Sequence, residues 1–186
     1  MNRYHNYIFL DHINSEISLK IKTIKKVSII YYIDDFKPFN ENNCKLIRNF
    51  CKKISAPFYI INSFKIAVKY KAAGIYITAD NRRIIFNKYS KLKIIGSVHN
   101  NLDYYFKTIQ NCRLVMLSPL FYNKKYSRNK ILGSTRFKLI SRNWQIGLCP
   151  LGGINNSNLN KIKLLRISNV AHRSMLKSLK KNPTCT

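Results

Sequence analysis

The adjacent glycines of Leu151-Gly152-Gly153-Ile154-Asn155 let backbone N–H groups approach an anion. A helix starting beyond them would favour negative charge through its dipole. Downstream, Arg173 and Ser174 supply a cation and a hydroxyl, a pairing suited to a phosphoryl group. The segment Ser118-Pro119-Leu120-Phe121-Tyr122-Asn123-Lys124-Lys125-Tyr126-Ser127-Arg128 carries three cations that could meet phosphate or pyrophosphate. In Gly96-Ser97-Val98-His99, Ser97 offers a hydroxyl for a ligand hydrogen bond, and His99 reads as a cap of the helix beginning near Asn101. Each feature has a plainer reading: the glycines turn the chain and the basic loop is solvated. Only a fold that gathers these loops makes them one phosphate site.

Eight β-type runs rich in Ile, Val, Tyr and Phe fall at 7–11, 27–33, 58–61, 74–78, 93–97, 113–118, 145–151 and 168–172. Helical spacing separates most of them. Residues 15–26 place Ile17, Ile21 and Ile24 on one face, and 40–55 repeat the pattern with Cys44, Ile47, Phe50, Cys51 and Ile54 before Pro57. Residues 63–73 carry Ile66, Ala67 and Tyr70 and end at Gly74, while 101–110 and 155–165 start from Asn or Ser caps. Alternating strands and helices imply parallel strands joined by crossovers. An open nucleotide-binding sheet would carry a glycine fingerprint after an early strand, yet His12-Ile13-Asn14 and Asp34-Asp35-Phe36 stand there. The pattern therefore predicts one α/β domain over residues 1–186, a compact (β/α)8 TIM barrel with short helices. Its site would lie at the carboxyl ends of the strands, and phosphate groups in such barrels often sit between loops seven and eight.

Composition narrows the setting. The chain has 34 Lys plus Arg against 7 Asp plus Glu, a formal charge of +27. Abundant Lys, Asn, Ile, Tyr and Phe are what A/T-rich codons produce, and the cations are dispersed without a nucleic-acid-binding motif. Nucleic acid is thus expected to bind only non-specifically, through charge, with a dedicated basic nucleic-acid-binding protein as the less favoured alternative. No apolar run approaches the ~20 residues that span a bilayer, so a soluble cytoplasmic protein without membrane contact is expected. Five cysteines form no CxxC pair and read as small buried hydrophobes in a reducing compartment.

Taken in order, the loops resemble the thiamine phosphate synthase and TenI family of barrels. Gly96-Ser97-Val98-His99 is similar to its GxSxH segment, Ser118-Pro119-Leu120-Phe121 to GPxF, Leu132-Gly133-Ser134-Thr135-Arg136-Phe137 to the segment opening helix six, and Leu151-Gly152-Gly153-Ile154 to IGGI. Ile60-Ile61-Asn62 and Ala73-Gly74-Ile75-Tyr76-Ile77 extend the similarity upstream. The resemblance implies a magnesium-dependent transferase that joins hydroxymethylpyrimidine diphosphate to thiazole phosphate and releases pyrophosphate. It places Asn62 and Ser97 on the pyrimidine substrate, Asn123, Lys124 and Lys125 on the phosphates, and Gly152, Gly153, Arg173 and Ser174 around the thiazole phosphate. Ser97, Lys124 and Lys125 would be the catalytic set. Partners are small phosphorylated substrates, and an oligomer is compatible with the family.

Several positions depart from the family pattern. The Asp expected after Asn62 is Ser63, and that of the loop after strand four falls on Asn81, leaving Asp80 as the candidate magnesium ligand. Tyr31-Tyr32-Ile33-Asp34-Asp35 replaces the basic element after strand two, and Asn123 and Lys125 replace threonines. A second reading follows, in which the barrel binds a phosphorylated thiamine-related ligand without turnover. Ser118 stands where a thiazole tautomerase would carry histidine, which disfavours that sister activity.

Overall fold

A computed structural model of the chain describes residues 3–32, 38–84, 91–122 and 127–172. Its strands are β1 (His5–Leu10), β2 (Val27–Tyr31), β3 (Phe58–Ile61), β4 (Gly74–Ile77), β5 (Lys93–Val98), β6 (Leu114–Leu117), β7 (Gly147–Pro150) and β8 (Asn169–His172). Consecutive strands from β1 to β7 pair in parallel, and β8 returns to β1 with His5 opposite Asn169 and Ile8 opposite His172. Leu151, just beyond β7, forms a parallel bridge to Ala171 in β8. The sheet closes, as the sequence predicts.

Burial on both faces explains the apolar strands: β2, β3, β4 and β6 are buried along their whole length. Phe9, Ile30, Tyr59, Ile61, Tyr76, Ile95, Met116, Cys149 and Ala171 come from strands alone and fill the barrel. Phe9 sits edge-on to Tyr76 at 5.1 Å and to Tyr32 at 5.9 Å, so aromatic rings occupy much of that interior. The opposite strand faces, including Ile8, Ile29, Ile60, Ile75 and Val115, pack beneath the helices.

The helices are α1 (Ser15–Lys22), α2 (Glu41–Lys53), α3 (Phe64–Lys69), α4 (Asn101–Ile109), α5 (Gly133–Ser141) and α6 (Leu159–Lys163). Asn14, Asn40, Ser63 and Asn100 cap the first four by accepting a backbone N–H from Ile17, Asn43, Ile66 and Asp103. α1 ends at Lys22 rather than at 26, because the chain turns at Thr23 to tuck Ile24 into the core. α3 ends at Lys69, short of 73, with Lys71 in the left-handed region. The described part of the β4–β5 connection, 78–84 and 91–92, is not helical, so the expected alternation lapses there.

Two polar features are built into the shell. His172 donates from Nε2 to Asn6 Oδ1 at 3.2 Å, and Asn6 donates to the Tyr4 and Lys26 carbonyls. Burial lowers the His172 pKa to about 4, opposed weakly by the Ile154 carbonyl. Cys44, Cys51, Cys112 and Cys149 are free and buried, as expected, while Cys185 lies outside the described residues. Burial raises the thiol pKa to about 11 for Cys44 and to about 12 for Cys51 and Cys112, and holds that of Cys149 well above the ordinary thiol range.

Because His172 binds its proton more weakly folded than unfolded, stability is full above pH ~6.5 and falls as pH drops towards 4. Urea titrations across that range are expected to show a loss of about 3 kcal/mol from this group, flattened in His172→Gln. A thiol reagent at pH 8 should label at most one of the five cysteines in the native protein and all five in denaturant.

Candidate active site

The carboxyl ends of the strands form one rim. Ser97 shares the inward face of β5 with Ile95 and is 6% exposed, while Ser118, the first residue after β6, is 3% exposed. His99 links these two strand ends: its Nδ1–H donates to the Ser118 carbonyl at 2.7 Å and lies 3.3 Å from Ser118 Oγ. A carbonyl only accepts, so in the neutral ring the proton resides on Nδ1. The imidazole therefore does not cap α4. Asn100 takes that role, and the Asp103 carboxylate accepts the His99 backbone N–H at 2.9 Å.

Loops six and seven are zipped together through backbone. Leu120 and Phe121 donate to the carbonyls of Leu151 and Gly152 at 2.9 and 3.0 Å. Gly153 has a φ of +67°, and a Cβ there would stand 2.4 Å from the Phe121 carbonyl oxygen and 2.6 Å from that of Tyr122. Glycine is thus required by close approach as well as by conformation. The segment beyond the pair differs from the sequence expectation. A three-residue 3-10 turn, Asn156–Asn158, precedes the five-residue α6, and a capping box between Asn155 and Asn158 closes the turn. The helix-dipole argument lapses for so short a helix; the close backbone packing of Gly152 and Gly153 stands. Arg128 lies in a 3-10 turn with its guanidinium 5.9 Å from the centre of the Tyr122 ring. Asn123, Lys124, Lys125, Arg173 and Ser174 lie outside the described residues, as do Asp34 and Asp35.

Asn62 anchors the other side of the rim. Its φ is +48°, and its Oδ1 accepts from the Thr78 N–H at 3.0 Å and from Asn81 Nδ2 at 3.2 Å, while its Nδ2 donates to Thr78 Oγ1 at 2.9 Å. Both lone pairs of the amide oxygen are engaged, which leaves one N–H to offer a ligand. Ser63 is occupied differently from a metal ligand, since its hydroxyl caps α3 at Ile66.

A resident magnesium ion needs oxygen ligands gathered from carboxylates, waters and substrate. Asp80 is exposed, and among the described residues no three His, Cys, Asp or Glu side chains cluster to hold a metal. The described donors do not fit a protein-held magnesium ion.

The residues that sequence reasoning missed are on α4 and at its C-cap, Gln110. Its buried stripe is polar: Asp103, Lys107 and Gln110 face inward, while Leu102, Tyr105 and Ile109 face out. Lys107 is fully buried and donates to the Asn81 carbonyl at 3.0 Å and to Gln110 Oε1 at 2.9 Å. Burial lowers its pKa, partly offset by Cys112, Asp103 and Asp80. The available signal was the spacing of 103, 107 and 110, which puts three hydrogen-bonding side chains on one helical face.

Comparison with known proteins bears on the fold and the family. A thiamine-phosphate synthase of Prochlorococcus marinus subsp. pastoris is 29% identical over 128 residues, covering 67% of this chain and 36% of the relative. A second Prochlorococcus marinus thiamine-phosphate synthase is 29% identical over 154 residues, covering 78% and 43%. The chain thus spans less than half the length of these curated relatives. Among solved structures, thiamine phosphate pyrophosphorylase from Pyrococcus furiosus superposes with a TM-score of 0.70 at 16% identity, over 93% of this chain and 87% of that one. The corresponding protein from Bacteroides thetaiotaomicron gives 0.61 at 14% identity, over 98% and 87%. The sequence profile described as thiamine monophosphate synthase matches residues 39–176, from the approach to α2 to beyond β8, and the chain belongs to that family.

Proposed function

We propose that the chain is a thiamine phosphate synthase-type transferase that joins hydroxymethylpyrimidine diphosphate to thiazole phosphate. The observation that carries this reading is the seam between loops six and seven, where Gly153 lies against the Phe121 and Tyr122 carbonyls. That seam supports a site in which the segment after Tyr122 meets one phosphate and the glycine loop meets the other. In the reaction the C–O bond to pyrophosphate breaks, the aminopyrimidine ring stabilises the resulting cation, and the thiazole nitrogen supplies the electron pair for the new C–N bond. Positive charge near the departing oxygens lowers that barrier. Lys124 and Lys125, with Arg128 three residues further along the sequence, are assigned this task, and the remaining Asn62 N–H and Ser97 Oγ are assigned to the pyrimidine. Charge from these cations would substitute in part for magnesium. The second reading, a barrel that binds the phosphorylated ligand without turnover, is favoured by the poverty of carboxylates opposite Asn62, where the described β4 loop offers Asp80 alone.

Purified protein incubated with both substrates should form thiamine phosphate, with residual activity after chelation of divalent ions. Product under neither condition, together with calorimetric binding of thiazole phosphate, would establish the second reading instead. Lys124→Ala with Lys125→Ala is expected to lower kcat by about 100-fold, the scale of lost transition-state charge stabilisation.

Gly153→Ala should cost well over the ~1–2 kcal/mol of a left-handed non-glycine residue and weaken thiazole phosphate binding at least about tenfold. Gly133→Ala is the control, because Gly133 has a φ of +62° but nothing within 4 Å of a Cβ. Thermal unfolding and titration calorimetry of both variants check the contrast. Nucleic-acid binding is expected to be sequence-independent and to vanish as salt rises, which filter binding across a salt series would test.

A further inference from the structure

The buried polar face of α4 lies on the outside of the barrel, yet every hydrogen bond it sends towards the β4 loop ends on a residue connected to the rim. Lys107 Nζ and Gln110 Nε2 converge on one acceptor, the Asn81 carbonyl, at 3.0 and 2.9 Å. Gln110 Nε2 also donates to the Arg83 carbonyl at 2.9 Å, and Gln110 Oε1 receives a bond from Lys107, so the pair is internally locked. On its other side Asn81 donates through Nδ2 to Asn62 Oδ1, and Asn62 in turn grips Thr78. An unbroken path runs from α4 through Asn81 to the Asn62 amide, with Asp80 on the same short segment.

That arrangement is costly for a mere packing contact. A lysine held at full burial has given up its hydration, and the described acidic residues form no ion pair with it. Room for its stem exists because position 96 lacks a side chain: a Cβ on Gly96 would stand 2.7 Å from Lys107 Cδ. The described part of the β4–β5 connection has no helix to hold its backbone, and the two α4 side chains take over that task.

We propose that Lys107 and Gln110 are positioning residues that clamp the β4 loop so that Asn62 faces the pyrimidine diphosphate. The proposal rests on the transferase reading for its substrate, whereas the clamp itself is a property of the fold. Neither residue touches substrate; both act through the Asn81 carbonyl.

The test uses the full chain with Lys107→Met, which keeps the unbranched stem and removes the donor, and Gln110→Leu, which keeps Lys107 and removes the bonds to Asn81 and Arg83. Hydrogen exchange followed by mass spectrometry is expected to show residues 78–84 exchanging about tenfold faster in each variant, the scale of one lost buried hydrogen bond, with the strands unchanged. Steady-state kinetics should show KM for the pyrimidine diphosphate raised about tenfold and KM for thiazole phosphate unchanged. Unchanged exchange at 78–84 in a folded variant overturns the clamp, and a parallel rise of both KM values overturns positioning in favour of general destabilisation. If Lys107→Met does not fold, Gln110→Leu decides alone. A wild-type protein without turnover removes the transferase reading, and pyrimidine diphosphate binding by calorimetry then replaces KM, with the same outcomes deciding the clamp.

Discussion

Closure of the sheet is the constraint on which the other features depend. Eight parallel strands bring their carboxyl ends into one ring only if the sheet closes, and the join between β7 and β8 rests on the single described bridge from Leu151 to Ala171. Leu151 carries that join. Its N–H donates to Leu117, its carbonyl accepts from Leu120, and it bridges Ala171 in β8, so one residue belongs to three neighbouring elements. Gly152 and Gly153 follow it directly, and their close packing on loop six extends the closure into the rim. The candidate site and the seam of the barrel are thus parts of one backbone arrangement.

The barrel was legible because burial on both faces leaves a strong record in sequence. Runs such as Phe58–Ile61 and Leu114–Leu117 have no polar alternation to confuse the reading, and Asn and Ser caps mark where helices begin. Boundaries were less legible where a buried residue lies past the end of a helix, as Ile24 does after α1. The rim was partly legible. Gly153 and Ser97 could be read from local residue types, whereas the role of Asn62 depends on Thr78 and Asn81, which approach it only when β3 and β4 pair. α4 was the hardest element, because the usual amphipathic rule assigns its Leu102, Tyr105 and Ile109 to the core, and the structure turns them to solvent.

Scarcity of acidic residues shapes much of the chemistry. Of the carboxylates in the described residues, Glu16 pairs with Lys20, Asp11 with His12, and Glu41 with Lys45 and Lys69 while accepting the Tyr70 hydroxyl. Asp103 is committed to the start of α4. Amides perform work that carboxylates often do: Asn14, Asn40 and Asn100 cap helices, Asn155 and Asn158 form a capping box, and Asn62 with Asn81 ties two loops. A neutral amide satisfies the same N–H groups but forgoes the favourable interaction that a carboxylate makes with the positive end of the helix dipole. Such a rim can orient a phosphorylated ligand by hydrogen bonds, but its carboxylate charge is small.

The glycine at position 96 and the buried lysine share one space. Any side chain at 96 would occupy the space of the Lys107 stem, and a chain carrying lysine at 107 tolerates no Cβ at 96 without displacing it. The two positions are therefore coupled through space: the buried lysine stem runs where a side chain at 96 would stand. Exchange of the glycine alone would force the Lys107 stem to move, so a residue that reads as part of a rim motif is also constrained by what lies behind it.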